Sequence, residues 1–355
     1  MLADEVAYVV GVDTHRDEHV LAVVAAPAGG VVAQRSVRAN ARGYAEALRF
    51  AEEHARGDRA WAVEGAGHYG AGLARHLSGR GETVLEIGRG PRGERRLRGK
   101  DDTLDAVRAA RTALASATLA LPRSGQRREA LRLLLIARRS AVDVRRQALV
   151  QLRSVIVTAP DPLRQQLRAL PAGLLIQRCS RLRRPVSGTP DELAGRLVLR
   201  TLARHIQAAT AEAAELEREI LTHVRKLAPQ LLGEPGDGPI VAAQIIVSWS
   251  HPGRLRSEAA FARLAGVAPI PASSGQTIRH RLSRGGDRQL NRALHTVILH
   301  RRLSSTAVST TPPPRPTSPD ESPKAKQAAT PVRSLKRYLA RHLYRTLNTE
   351  TPLMT

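Results

Sequence analysis

The chain is short of cysteine, of aromatic residues, of long apolar runs and of acid. Its one cysteine, Cys179, excludes an intramolecular disulfide and any cysteine-rich zinc site. Aromatics make up 3% of the residues, so stacking of bases on an aromatic platform is not the expected main mode of single-strand binding. No apolar stretch approaches the roughly 18–20 residues that a membrane-spanning helix requires. The N-terminus, Met1 to Asp13, is acidic and lacks a secretory pattern, so the expected location is the cytoplasm. Against 56 Lys+Arg stand 32 Asp+Glu, for a formal net charge of +24 over 355 residues. Such a surface attracts polyanions in a salt-sensitive way. The basic residues are mostly arginine, the better partner for phosphate forks. A GC-rich coding bias accounts for part of the choice of arginine over lysine, but not for the excess of base over acid.

Given that excess, the positions of four acids are informative. Asp13 ends the apolar run Tyr8-Val9-Val10-Gly11-Val12, and Glu64 ends Trp61-Ala62-Val63. Asp102 and Asp105 lie three apart and share a helical face. Acids at strand ends plus an acidic pair on a helix gather the oxygen ligands that suit Mg²⁺ (or Mn²⁺). Two such ions about 3.5–4 Å apart stabilise the attacking and leaving oxygens of a phosphodiester. Lys100 and Arg98 stand ready for phosphate nearby. The alternative for each acid alone is a surface carboxylate or a helix cap, as for Asp101.

The apolar pattern gives the organisation. Residues 6–12 and 19–26 read as a β-hairpin, 31–37 as a third strand, 42–56 as a helix, 59–64 as a strand, 70–77 as a helix and 83–87 as a strand. This order suggests an α/β domain of ribonuclease-H-like (RuvC-like) topology over residues 1–120. A helical, coiled-coil-like middle follows at 121–228, with long amphipathic helices at 127–159 and 193–227 separated by a Pro/Gly/Ser-rich joint. An ordinary helical core layer is the alternative there. Residues 229–303 form a compact, mainly α-helical C-terminal domain. Residues 304–332 are rich in Pro, Ser and Thr and are expected to be disordered or extended. Residues 333–355 return to a basic amphipathic helix and tail.

Two loops carry further chemistry. Gly236-Asp237-Gly238-Pro239 opens an apolar helix. A Gly-x-Gly turn there can grip a DNA phosphate through backbone N–H groups, or serve as a plain turn before a buried helix. Ser273-Ser274-Gly275 is followed by Arg279, His280, Arg281, Arg284 and Arg288. That arrangement presents a hydroxyl among cations able to stabilise a pentavalent phosphate; an ordinary turn is the alternative.

Gly11-Val12-Asp13, Lys100-Asp101-Asp102-Thr103-Leu104-Asp105-Ala106, Gly238-Pro239, Ala265-Gly266-Val267-Ala268-Pro269, Ser273-Ser274-Gly275 and Leu282 to Leu290 occur in an order that resembles the DEDD-type insertion-sequence transposases. This is the IS-one-ten/IS-eleven-eleven family, which also includes Piv-type DNA invertases. The resemblance covers residues 5–303 and the final basic helix. It implies that Asp13, Glu64, Asp102 and Asp105 are a Mg²⁺-binding tetrad in a RuvC-like domain. It also implies that a serine of the C-terminal transposase domain becomes joined to DNA; Ser274, directly before the glycine, takes that role, with Ser273 in reserve. Further implications are DNA as substrate, a homo-oligomer (dimer or tetramer), a structured guide RNA in some members, and a bacterial, nucleoid-associated location. One departure stands out. After His300-Arg301-Arg302 the family continues as a charged helix, whereas this chain has its Pro/Ser/Thr tract. A pair of compensating frameshifts in a GC-rich gene accounts for the tract, and translation of the other two frames tests the idea. Two other readings compete: a Holliday-junction-type nuclease that uses water, and a non-catalytic nucleic-acid-binding remnant of a transposase.

Overall fold

The computed structural model describes residues 1–26, 28–88, 102–117, 119–183, 185–271, 280–281, 285–307 and 322–349, with the backbone alone at 102, 271, 280, 304–307, 322–331 and 333. Two compact units result. One comprises Met1–Gly125 with Trp249–Ala260, the other Gln126–Ser248 with Phe261–Thr355.

The first unit is built on a five-stranded sheet. β1 (Tyr8–Thr14), β2 (Glu18–Ala25) and β3 (Gly30–Arg38) form an antiparallel meander. α1 (Ala41–His54) starts at Asn40, whose side chain accepts a hydrogen bond from the Gly43 N–H at 3.0 Å and so caps the helix. β4 (Arg59–Glu64) then pairs with β1 in parallel, and after α2 (Ala71–Ser78), β5 (Thr83–Ile87) pairs with β4 in parallel. α3 (Asp102–Leu114) completes the set. The strand order is β3-β2-β1-β4-β5.

Helices cover both faces of the central strands, which is why β1 and β2 read as unbroken apolar runs rather than as alternations. On one face Val10, Val12, Leu21, Val23, Trp61 and Val63 pack against Phe50 of α1 and Leu73 and Leu77 of α2. On the other, Val9, Val20, Ala22 and Ala62 pack against Ala106, Ala109, Ala110 and Ala113 of α3. The small residues of α3 let it lie close to the sheet. Gly11 is where it comes closest: a Cβ there would stand 2.0 Å from the Ala106 carbonyl oxygen and 2.8 Å from the Ala110 nitrogen. The mixed sheet with helices on both faces is compatible with the ribonuclease-H-like expectation, and each strand and helix anticipated between residues 6 and 87 is present. The 249–260 segment joins this unit through Arg254, whose side chain is 4% exposed and lies 3.4 Å from Glu86 Oε2 on β5.

Among its described residues the second unit is helical apart from one hairpin. α4 (Gln126–Val157), α5 (Asp161–Leu167), α6 (Ala172–Ser180) and α7 (Pro190–Leu227) come first. Ala148, Leu152 and Ile156 of α4 share a core with Leu199, Ala203 and Ile206 of α7. At the other end Arg138 pairs with Glu217 at 2.6 Å. Low numbers on one helix thus meet high numbers on the other, so α4 and α7 are antiparallel. α8 (Pro239–Trp249), α9 (Glu258–Leu264), the hairpin of β6 (Ile270–Pro271) and β7 (His280–Arg281), α10 (Arg288–Ala307) and α11 (Ser322–Thr349) follow.

The Pro/Ser/Thr tract departs from the extended conformation expected of 304–332. Residues 304–307 continue α10 and 322–332 belong to α11, while 308–321 lie outside the described residues. The reason is local. Lys324-Ala325-Lys326-Gln327-Ala328-Ala329 is a run of strong helix formers, and Pro323 falls in the first turn, where its missing N–H costs nothing. Among the described residues no helix is long and apolar enough to cross a membrane.

Candidate functional site

Asp13, the last residue but one of β1, and Glu64, the last of β4, lie one step beyond the paired residues Val12 and Val63 of these two parallel strands. Side chains alternate along a strand. Since Val12 and Val63 face α1 and α2, Asp13 and Glu64 face α3. Both are nearly buried, 7% and 6% exposed. Thr14 points the other way and donates its hydroxyl to the Glu64 carbonyl oxygen at 2.7 Å. His15 Nε2 lies 3.1 Å from Asp13 Oδ2. From α3, Asp105 meets Arg108 one turn along, with Asp105 Oδ1 2.8 Å from Nη1, and the Arg108 Nη2 reaches Glu64 Oε2 at 3.4 Å. Three acids from three elements therefore collect at one end of the sheet, and two of them share a single cation.

The donor set is all oxygen, which suits a hard divalent ion, and the carboxylates of Glu64 and Asp105 are close enough to share one positive centre. These residues fit Mg²⁺ or Mn²⁺ in chemistry. Among the described residues no three His, Cys, Asp or Glu side chains already stand in a metal-holding group. Asp102 opens α3, but its side chain, like Lys100, lies outside the described residues.

In the second unit, residues 272–279 and 282–284, with Ser273, Ser274, Arg279 and Arg284, lie outside the described residues. The frame that carries them is described. Asp287 Oδ1 accepts hydrogen bonds from the N–H groups of Gln289 and Leu290 at 2.9 and 3.1 Å, capping α10, and Oδ2 accepts from the Ser248 hydroxyl at 2.7 Å. The Asp287 N–H donates to the Leu264 carbonyl at 2.7 Å, and the Asn291 amide donates to the Ala265 carbonyl at 2.7 Å. Lys336 of α11 donates to Asn291 Oδ1 at 3.0 Å. The chain thus leaves for the hairpin from the end of α9 and returns to the start of α10 at a fixed base. Gly286, at φ +97°, has the Leu264 carbonyl oxygen 2.4 Å from where a Cβ would be, so only glycine fits. Arg281 on β7 and Arg288 at the start of α10 are exposed.

The Gly236 turn has φ +87° and packs against α10, where a Cβ would stand 3.1 Å from the Val297 carbonyl oxygen. Gly238 is exposed, whereas Asp237 between them is buried, with neither carboxylate oxygen hydrogen-bonded. Burial pushes its pKa up to about 7 against the pull of Arg301, with Glu234 raising it and His342 lowering it. The residues that sequence reasoning missed are Thr14, His15, Arg108, Ser248, Asp287 as a cap, and Asn291. Of these only Arg108 had a readable signal, its i,i+3 spacing from Asp105.

The mixed sheet with helices on both faces is compatible with a DEDD transposase domain. The model of the DEDD transposases of insertion sequence IS110 matches residues 10–159, and that of the transposase IS116/IS110/IS902 family matches residues 228–310. The chain belongs to this IS110 family. It is also similar to an uncharacterized 43.6 kDa protein of insertion element IS110 from Streptomyces coelicolor, with 34% identity over 113 residues. That match spans 31% of this chain and 27% of the relative.

Proposed function

We propose that the chain is a DNA transposase that cuts and rejoins the strands of an insertion sequence. The observation that carries this reading is the near-burial of Asp13 and Glu64 side by side, facing the helix that supplies Asp105. A buried carboxylate is costly unless a cation answers it. A chain that binds a polyanion through its positive charge gains nothing from such acids unless they do chemistry. Asp13, Glu64, Asp102 and Asp105 are the residues that would hold Mg²⁺ or Mn²⁺, whose role when bound is to polarise the phosphodiester and lower the pKa of an attacking hydroxyl.

Ser274, or Ser273 in its place, is the nucleophile of the second half-site. Its oxygen forms a bond to phosphorus, the bond from phosphorus to the deoxyribose oxygen breaks, and the hydroxyl proton ends on that departing oxygen. A strand hydroxyl reverses the exchange and frees the serine. Arg279, Arg281, Arg284 and Arg288 surround the serine loop in sequence and neutralise the phosphate, as Lys100 does near the acids. Gly236 and Gly238 offer backbone N–H groups to a strand. Exposed Arg139, Arg146 and Arg153 recur every seven residues along α4 and form one column on that helix for a nucleic-acid backbone, DNA or a structured guide RNA. The antiparallel pair α4 and α7 serves as a coiled-coil arm in a dimer or tetramer, and the tract 304–331 is an out-of-frame passage.

The test is to incubate the full chain with a circular element junction, target DNA and Mg²⁺, with and without the flanking transcript, and to resolve the products on denaturing gels. A protein–DNA adduct that vanishes in Ser274→Ala and Ser273→Ala together, and strand exchange lost in Asp13→Asn, are expected. Cleavage that persists without either serine would mean that water is the nucleophile, as in a junction nuclease. No cleavage by the wild type, with DNA affinity unaltered in Asp13→Asn, would mark a non-catalytic binder.

A further inference from the structure

Arg108 is the residue of the acidic site whose position its own helix does not explain. Its contact with Asp105 is local, one turn back on α3, at 2.8 Å. Its second contact is not local: the guanidinium extends to Glu64 on β4, at 3.4 Å. The side chain is 26% exposed, and Glu64 and Asp105 are 8% and 17% exposed at their side chains. A monovalent cation therefore sits among the carboxylate oxygens that a divalent ion would need. Two cations cannot share those oxygens at close range without strong repulsion in a half-buried setting.

We propose that Arg108 is a built-in counter-cation of the acidic site, which holds Glu64 and Asp105 together in the free protein and yields to the divalent ion when nucleic acid arrives. The inference rests on the reading of Asp13, Glu64 and Asp105 as metal ligands. A displaced guanidinium needs a new anion, and its planar fork matches a phosphodiester oxygen pair. A DNA phosphate at the site supplies that anion. DNA then favours metal uptake, and by linkage the metal favours DNA to the same degree. A chain that circulates in the presence of Mg²⁺ is thereby kept from assembling a competent site without its substrate.

The test is a Mn²⁺ titration of the full chain, followed by the electron paramagnetic resonance signal of the free ion, with and without a double-stranded oligonucleotide. Without DNA, Arg108→Gln is expected to bind Mn²⁺ on the order of tenfold more tightly than wild type, as removal of one competing, partly buried ion pair implies. The oligonucleotide is expected to tighten Mn²⁺ binding to wild type and to leave Arg108→Gln unchanged. Equal or weaker Mn²⁺ binding by Arg108→Gln overturns the proposal. Should that variant fail to fold, Arg108→Met, which also removes the charge but keeps an apolar stem of similar length, gives the same readout: tighter binding than wild type supports the proposal and equal or weaker binding overturns it. Asp105→Asn and Glu64→Gln separate the two levels. If they lose Mn²⁺ while Arg108→Gln is unchanged, only the role of Arg108 fails; if they bind Mn²⁺ like wild type, the metal-site reading fails with it.

Discussion

The Thr14 hydroxyl is 2.7 Å from the main-chain oxygen of Glu64, so the last residue of β1 is tied to the last residue of β4. This bond crosses the sheet at the level of the two buried acids. It fixes the backbone of Glu64 relative to that of Asp13, which a pair of frayed strand ends would not do. Thr14→Val removes the donor and keeps the shape. The expected cost in stability is about 1 kcal/mol, the net worth of one such hydrogen bond. The expected loss of DNA cleavage is larger than that cost implies, because displacement of reacting groups weighs heavily on rate. Thr14→Ser retains the hydroxyl and is expected to restore cleavage. Chemical denaturation and strand-cleavage assays on the three proteins check this.

Gly11 governs how close α3 lies to the sheet. With the Ala106 carbonyl oxygen 2.0 Å from the position of a Cβ, Gly11→Ala must push the helix away from β1. Overpacking of this kind costs about 1–3 kcal/mol. Because Asp105 is next to Ala106, the same shift carries Asp105 away from Asp13. Gly11→Ala is therefore expected to lower the melting temperature and, in the protein that remains folded, to weaken Mn²⁺ binding. Unchanged Mn²⁺ affinity in a folded Gly11→Ala protein would separate helix position from the acids.

Much of this site was legible in the sequence, and what was not has a common cause. Asp13 and Glu64 stood out because each ends an apolar run, and the runs themselves gave the strands, since a sheet covered on both faces has continuous apolar strands. Asp102 and Asp105 stood out by helical spacing. Thr14, Arg108, Asp287 and Asn291 did not, because their roles depend on a partner distant in sequence: 50 residues for Thr14 and Glu64, 44 for Arg108 and Glu64, 26 for Asn291 and Ala265. In a chain of net charge +24, one arginine that neutralises acid looks like the many that serve phosphate. The start of α11 was misplaced for another reason. Pro331 reads as a breaker, yet the helix formers before it and the amphipathic stretch after it carry the backbone through.

Asp287 holds the base of the serine hairpin by capping α10 with one oxygen and taking the Ser248 hydroxyl with the other. Asp287→Ala loses both, at an expected cost of about 2 kcal/mol. Asp287→Asn keeps an acceptor for the cap and is expected to recover roughly half. Ser248→Ala removes only the link to α8. If the hairpin base orients the serine, formation of the protein–DNA adduct is expected to fall in the order wild type, Ser248→Ala, Asp287→Ala, while binding of DNA measured by gel shift stays nearly level.

Asp237 sets a pH dependence whose sign follows from its burial. Its carboxyl, ordinarily near 3.8, is pushed up to about 7, chiefly by burial, so the folded chain keeps the proton over a range where the unfolded chain has released it. The stabilising difference is whole below about pH 4, shrinks as pH rises, and is gone above about pH 7, where the buried carboxylate must ionise beside Glu234. By linkage that range corresponds to a loss on the order of 2–4 kcal/mol as pH rises from 4 to 8. Buried His19 works in the opposite direction, since burial lowers its pKa and the folded state resists protonation as the medium turns acidic. Comparison of wild type with Asp237→Asn cancels the His19 contribution. The expected result is that Asp237→Asn is no more stable than wild type at pH 4.5, where the added amide donor lacks a partner, and becomes the more stable of the two by pH 8. Asp237→Leu, which brings no polar atom, is expected to show the same trend with pH. Melting curves of the three proteins at half-unit steps from pH 4.5 to 8 decide it: parallel curves would mean that Asp237 is ionised in the folded chain throughout.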